Sequence, residues 1–348
     1  MPNPTTDSIM YRTLTRQPDD LRRLLSDGWD PARQAAEIIG EARRVFLVGV
    51  GTSYHAALAG GWLLRAAGRD ARAVLSYDFA TYPERYPLTA DDAVVVMAHT
   101  GVKSYSKMSL DRAVAAGAAV ISVGSRAAEH PGSQLVLRTI DRETSAAYTS
   151  SHLCAMATLA MLADELGVTG LRTHLEALPD QVADIIDRQE QIRPVAERAA
   201  GRKVYAFGAG PSEATALELV IKGREAALHP VDGLHAEQFF HGPIVAVNAG
   251  DLAVVVNPHG EATTRTGLIA SAFAEVGGDI WVVGEAVPTI PDATVFRIPI
   301  VPEILSPLLS LVPIQLFAYH LAATKGTHPD TFRRDDPTYK DAFALLTL

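Results

Sequence analysis

Glu218, Lys222 and Glu225 stand four and three residues apart in the stretch from Ala216 to Pro243, A-L-E-L-V-I-K-G-R-E-A-A-L-H-P-V-D-G-L-H-A-E-Q-F-F-H-G-P. On a helix that spacing puts all three on one face. His241 follows, just ahead of Gly242-Pro243. Two carboxylates, an amine and an imidazole near a glycine loop are what proton transfer on a small anionic molecule requires. The same spacing also describes a surface ladder of ion pairs. Against the ladder, Glu218 is set between Leu217 and Leu219, and Lys222 follows Val220-Ile221. To hold these groups, the chain needs a strand at Val204 to Phe207, a turn at Gly208-Ala209-Gly210, and a helix that breaks before Pro230. A short second segment must then deliver His241.

The rest of the composition narrows the class. The chain has 348 residues, enough for two domains, with 48% hydrophobic and 20% charged residues. Net charge is −9, no basic run occurs and aromatics make up 7%, which argues against nucleic acid as a partner. The most apolar stretch, Ile304 to Ala323, contains Pro307, Pro313, Gln315 and His320, so it is expected as a buried helix rather than a membrane span. No secretory signal pattern opens the chain. Cys154 is the only cysteine, so no internal disulfide can form, and a cytoplasmic protein is expected. His229, His235 and His241 are six residues apart, a spacing that fits neither one helix face nor a zinc-ligand pattern, so no metal or cofactor is expected.

Met1 to Thr6 is polar. Met10 to Leu25 reads as an arm with a short amphipathic helix, and Pro31 to Ala42 as a further helix. Strands are expected at Val45 to Val48, Ala73 to Leu75, Val94 to Met97, Ala119 to Val123 and Leu135 to Ile140. Helices are expected over Tyr54 to Ala67, up to Ala116, and up to Leu166. Alternation of this kind predicts an α/β fold with an open parallel sheet covered on both faces. The order then begins again. V-F-L-V-G-V-G at Val45 is echoed by V-Y-A-F-G-A-G at Val204. Gly49 and Gly208, Gly101 and Gly260, Arg138 and Arg297, and Gly167 and Gly326 all lie 159 residues apart, and Gly124 and Gly284 lie 160 apart. The chain therefore reads as a tandem repeat of one domain, joined by a helical segment near Leu175 to Ala199.

Open parallel sheets bind ligands beyond the carboxyl ends of their strands. Four loops of the first repeat lie there: Gly51-Thr52-Ser53, His99-Thr100-Gly101 with Lys103 and Ser104, Gly124-Ser125, and Tyr148-Thr149-Ser150-Ser151. Hydroxyls and backbone amides at helix starts form the usual cradle for a phosphate. The matching loops of the second repeat, Asn257-Pro258-His259-Gly260 and Gly284-Glu285, carry fewer hydroxyls. The first repeat is thus suited to an anion, and the second carries the acid/base helix.

Taken together, G-T-S-Y, the hydroxyl-rich loop after the third strand, A-L-E-x-x-x-K-x-x-E and F-x-H-G-P resemble the sugar isomerase (SIS) domain family in tandem. Within it, the chain is similar to the isomerase half of the glutamine–fructose-6-phosphate amidotransferases, from M-Y-R-T-L-T-R-Q-P at Met10 to the tail. The resemblance implies flavodoxin-like domains at 31–170 and 200–326, an arm at 1–30, a helical linker at 171–199 and a tail at 327–348 that closes over the site. It implies a sugar-phosphate ligand and a homodimer with active sites at the subunit interface. Ser53, Thr100 and Ser150 are carried over as anion contacts; the loop reading itself adds Thr52, His99, Lys103, Ser104 and Ser151 around the ligand, with Glu218 beside them to orient Lys222. Glu225 corresponds to the base, Lys222 to its helper, His241 to a ring-opening histidine given by the other subunit, and Lys340 to a C-terminal lysine. Two departures stand out. No glutaminase segment is present, so glutamine-independent activity is expected. The family's S-x-S-G-x-[ST] loop is replaced by Ala98-His99-Thr100-Gly101-Val102-Lys103, which loses two hydroxyls and gains a cation.

The chemistry expected is proton transfer between C1 and C2 of an open-chain sugar through a cis-enediol or enediamine. Glu225 would take and return the proton while Lys222 stabilises developing negative charge. His241 would move the ring-oxygen proton, since imidazole titrates near neutrality. An amino-sugar-phosphate isomerase or deaminase is the leading expectation. A fructosamine-phosphate deglycase and a sugar-phosphate sensor without turnover are the alternatives.

Overall fold

The computed structural model describes residues 7–345. The polar start, Met1 to Thr6, lies outside the described residues. The chain divides into two compact units. The first is built from Arg16–Thr144, Tyr148–Pro179 and the described residues from Arg333 onward. The second takes the described residues up to Thr15, Ser145–Ala147 and Asp180–Phe332.

The first unit carries α2 (Gln17–Asp27), α3 (Trp29–Ile39), β1 (Arg44–Gly49), α4 (Thr52–Ala66), β2 (Ala71–Leu75), α5 (Ser76–Thr81), β3 (Asp92–Met97), α6 (Ser104–Ala115), β4 (Ala119–Gly124), β5 (Leu135–Arg138), α7 (Ser150–Glu165) and, late in the chain, α14 (Pro337–Ala344). Its five strands are all parallel, in the order β2-β1-β3-β4-β5. The second unit carries α1 (Ile9–Thr15), α9 (Arg193–Ala199), β6 (Val204–Gly208), α10 (Glu213–Ala227), β7 (Val231–His235), α11 (Ala236–Phe240), β8 (Leu252–Asn257), α12 (Thr263–Glu275), β9 (Asp279–Gly284), β10 (Thr294–Phe296) and α13 (Ser306–Lys325). Its sheet runs β7-β6-β8-β9-β10, the same order. The remaining helix, α8 (Leu171–Asp187), links the two along the chain.

Strands buried on both faces read as continuous apolar runs, and β3 and β8 are buried at all six positions. The repeat shows at the atomic level too. A Cβ on Gly49 would lie 2.6 Å from the Ser53 carbonyl oxygen, and one on Gly208 would lie 2.7 Å from that of Ser212. Both glycines let a helix start press onto the end of the first strand of its sheet. At the other end of β3, Asp92 receives a two-pronged hydrogen bond from Arg44 at 2.9 and 2.8 Å. Burial opposes charge there, but Arg44, the Thr89 N–H and Arg43 outweigh it and hold the Asp92 carboxyl well below the usual range.

Several expectations shift in detail. The stretch read as an arm with one short helix carries two: α1 buries Met10 and Leu14 and stacks Tyr11 on Tyr319 with ring centroids 4.7 Å apart, and α2 buries Leu21 and Leu24. The strand β7, sequence V-D-G-L-H, gave no apolar alternation. It forms because Gly233 lets α10 approach, a Cβ there falling 2.2 Å from Val220 Cγ2. Helix α13 is long and apolar enough to span a bilayer, yet 94% of its most apolar window is buried within the fold.

Candidate active site

The loops after β1 and β3 meet where the strand order of the first sheet reverses, the position at which open α/β sheets bind ligands. An open pocket of about 450 Å³ lies there, lined by Ser53, His99, Thr100, Lys103, Ser104 and Tyr148, with Arg142 and Arg334. Thr52 and Ser151 line a smaller crevice beneath it, which Ser53 and His99 share. Ser104, the first residue of α6, has φ +42°. A left-handed non-glycine residue is costly and tends to mark a functional turn. Ser106 Oγ accepts from the Lys103 N–H at 2.9 Å and so fixes the backbone from which Lys103 projects.

His99 serves as a strut in this pocket. Its Nε2 accepts from the Glu143 N–H at 3.0 Å, and its ring meets Tyr148 edge-on at 5.4 Å. Burial pushes its pKa below the ordinary value; the Glu143 carboxylate opposes that shift and Arg142 adds to it. The ring is therefore neutral, leaving Nδ1–H as the donor it can offer a ligand. Ser150 lies outside the pocket: its hydroxyl donates to buried Asp20 at 2.6 Å. The amides at the start of α7 are also taken, because the Glu143 carboxylate accepts from Thr149 N–H at 2.8 Å and Ser151 N–H at 2.9 Å. Glu143 thus fills the place the sequence left for a ligand in the fourth loop. Its signal was a carboxylate a few residues before T-S-S. Arg142 and Arg334 also escaped sequence reasoning, since each stands far from the loop it joins.

In the second unit, α10 realises the expected face. Lys222 Nζ lies 2.8 Å from Glu225 Oε2 and 3.4 Å from Glu218 Oε1. Side-chain exposure is 0% for Glu218, 1% for Lys222 and 31% for Glu225. The surface ladder is therefore excluded, and Glu225 is the member of the trio that solvent or a ligand reaches. The helix stops as the sequence requires. Leu228 turns left-handed at φ +46°, the His229 N–H returns to the Gly223 carbonyl at 3.0 Å, and Pro230 cannot continue. Gly223, beside Lys222, is needed for packing on β7, since a Cβ would sit 2.6 Å from Val231 Cγ2.

His241 follows α11, with its side chain 69% exposed, and its Nε2 lies 3.0 Å from Glu237 Oε1. Arg265 grips the same carboxylate at 2.8 and 2.6 Å. Arg265 first, and His241 with it, hold Glu237 at a pKa of about 2, so it stays ionised and can orient the imidazole. Lys340 lies on exposed α14 in the first unit and does not line the pocket there. Cys154 is fully buried, which pushes its thiol up and leaves it unreactive.

The second repeat closes its own version of the pocket. Glu303 Oε2 accepts from the Glu261 N–H at 2.8 Å, and Oε1 from the Ala262 N–H at 3.4 Å, just ahead of α12. Gly260 packs beneath it so closely that a Cβ would come within 2.2 Å of the carboxyl carbon. A carboxylate of the chain itself occupies the site that the first repeat keeps open.

The chain is 27% identical over 336 residues to the glutamine–fructose-6-phosphate aminotransferase (isomerizing) of Pyrococcus horikoshii, covering 93% of this chain and 56% of that protein. It thus spans little more than half the length of that relative. Among solved structures, the C-terminal domain of glucosamine-fructose-6-phosphate aminotransferase from Francisella tularensis superposes with a TM-score of 0.81 at 18% identity, covering 93% of this chain and 98% of that one. Tagatose-6-phosphate ketose/aldose isomerase from Escherichia coli gives 0.80 at 19%, covering 94% and 95%. These two establish likeness of fold. The SIS domain model itself matches twice, over residues 38–164 and 199–325, so the chain belongs to the SIS domain family as a tandem pair.

Proposed function

We propose that the chain is a phosphosugar aldose–ketose isomerase acting on an amino-sugar phosphate of the glucosamine-6-phosphate/fructose-6-phosphate type. The observation that carries this reading is the α10 trio, a buried lysine 2.8 Å from a carboxylate that alone of the three remains accessible. Glu225 removes the proton from C2 of the open-chain aldose, giving a cis-enediol, or a cis-enolamine from the amino sugar, and returns it to C1. Lys222 stabilises the negative charge that develops on the neighbouring oxygen. Ser53, Thr100, Ser104 and Lys103 hold the phosphate, and His241, oriented by Glu237, moves the ring-oxygen proton. In the deaminase direction, water hydrolyses the C2 imine, so aminoaldose phosphate and water give ketose phosphate and ammonia. The names of the similar proteins, one an aminotransferase and one a ketose/aldose isomerase, support this class of substrate. A homodimer in which His241 serves the partner's site, and Lys340 as a further substrate contact, belong to the same proposal.

The test is NMR in D₂O with a panel of hexose and aminohexose 6-phosphates, following exchange at C2. Exchange should occur with at least one member and fall by about 10²–10⁴ in Glu225→Gln, the usual worth of a general base. Absence of exchange with every member, alongside tight binding of one, would replace the enzyme by a sensor.

A further inference from the structure

Arg265 reaches Glu237 from α12 and takes both carboxylate oxygens, Nε to Oε2 at 2.8 Å and Nη2 to Oε1 at 2.6 Å. A two-point guanidinium contact sets the plane of a carboxylate as well as its place. Oε1 also lies 3.0 Å from His241 Nε2. An ionised carboxylate only accepts hydrogen bonds, so the nitrogen that meets Oε1 must carry a hydrogen. A neutral imidazole has one N–H, and with it on Nε2 the other nitrogen, Nδ1, is bare and can take a proton. Nδ1 makes no hydrogen bond among the described residues, and the side chain is 69% exposed.

Arg265 is itself held. Its guanidinium carbon lies 5.4 Å from the centre of the Phe240 ring, the neighbour of His241 in the chain. It leaves α12 in the first turn, and that turn is anchored from outside. Thr263 Oγ1 accepts from the Gly260 N–H at 2.8 Å and donates to the Pro258 carbonyl at 2.7 Å. Glu303 takes the Glu261 and Ala262 N–H groups just ahead. The contacts that close the second repeat to an anion thus also fix the start of the helix from which Arg265 extends. Exposed ion pairs add little to stability, so a fork anchored at both ends is explained by orientation rather than by folding. Arg265 also does most to hold the Glu237 carboxyl at a pKa of about 2, so Glu237 does not take the Nε2 proton when the ring becomes cationic.

We propose that Arg265 is a positioning residue: through Glu237 it fixes the imidazole of His241 with Nε2 protonated, so that Nδ1 alone carries the proton from the anomeric hydroxyl of a cyclic sugar phosphate to its ring oxygen. This rests on the phosphosugar reading given above and assigns the atom that opens the ring. Nδ1 takes the proton of the anomeric hydroxyl, and the oxygen's electron pair forms the carbonyl. The bond from the anomeric carbon to the ring oxygen breaks, and the ring oxygen takes the proton from Nδ1. No proton is gained or lost, and His241 ends as it began. Both oxygens are bonded to the same carbon, so one nitrogen can serve them in turn.

Two measurements on the full chain test it. The first follows deuterium exchange at C1 in D₂O with fructose 6-phosphate, which is mostly cyclic, and with 5-deoxyfructose 6-phosphate, which lacks the ring-closing hydroxyl and stays open. Glu237→Ala and Arg265→Gln should each slow exchange of fructose 6-phosphate by about tenfold or more, a modest share of what acid–base catalysis contributes, and slow the open probe by less than about twofold. Arg265→Lys should recover part of the loss. Equal loss on both probes, or no loss on either, overturns this inference and leaves the phosphosugar reading standing. Exchange of neither probe by the unmodified chain overturns both. The second measurement needs no turnover: nitrogen NMR of histidine-labelled protein, with the His241 signals assigned from His241→Gln. The neutral ring should be protonated at Nε2 in the unmodified chain and a mixture of tautomers in Glu237→Ala, and an Nδ1-protonated ring in the unmodified chain overturns the inference.

Discussion

Lys222→Met is the sharpest probe of the α10 trio, because it removes the ammonium that bridges two carboxylates, one of them fully buried. At 3.4 Å from Glu218 the attraction is about 5 kcal/mol for an effective dielectric of about 20, and at 2.8 Å from Glu225 about 6 kcal/mol. The second figure counts for less, since Glu225 is 31% exposed and partly screened. Against the sum stands the cost of holding the ammonium out of water, several kcal/mol. The balance is a loss of about 3–5 kcal/mol, the range seen when one partner of a buried pair is deleted. Methionine fills nearly the same space, so packing changes little. Urea unfolding at neutral pH reads the loss, and with two compact units it should fall on one of two transitions if they separate. Adding Glu218→Gln to Lys222→Met should recover more than half, because the stranded charge is then gone. A single-variant cost below about 1 kcal/mol, or a double variant with fully additive losses, would refute a charge-compensated buried trio.

Mixing inactive Glu225→Gln with inactive His241→Ala should restore turnover if His241 serves the partner's site, because one interface of each heterodimer then keeps both native groups. No recovery in verified heterodimers would put both residues to work on one chain. Stability should also decline on mild acidification. His130 and His320 are buried neutral, each lowered from about 6.5 to about 4, by burial first and then by Arg138 and Arg193 respectively. The unfolded chain takes up protons below about pH 6.5 that the folded chain refuses, so stability is full above that value and falls as pH drops towards about 4. Urea midpoints measured from pH 7.5 to 4.5 check the slope, and His320→Gln should flatten it. Lys103→Ala should weaken fructose 6-phosphate by about 1.5–3 kcal/mol if it meets the phosphate, and unchanged calorimetric affinity would remove it from the site.

The parts legible in the sequence were those that local pattern fixes. Val-rich runs closed by glycine gave the central strands, and a constant spacing of landmarks gave the repeat. The shared face of Glu218, Lys222 and Glu225 follows from helical period alone. Residues placed by long-range contacts were not legible. Strand β7 depends on Gly223 and Gly233 admitting α10, which no alternation reveals. Arg334 reaches the pocket from far down the chain, and Glu143 claims the α7 amides from outside the helix. Ser150 was assigned from its position at a helix start, whereas its hydroxyl is drawn inward by Asp20, a residue 130 positions away. Spacing also could not distinguish His241 alone from His241 oriented by Glu237 and Arg265.

The carboxylate of Glu303 acts as a resident competitive inhibitor of the second repeat. Tethered on the same unit, it already takes the amides of Glu261 and Ala262 that an anion would use. Duplication of a binding domain ordinarily doubles the ligand capacity of a chain. Here one inward-turned side chain halves it again, so saturation should stop at one phosphosugar per chain.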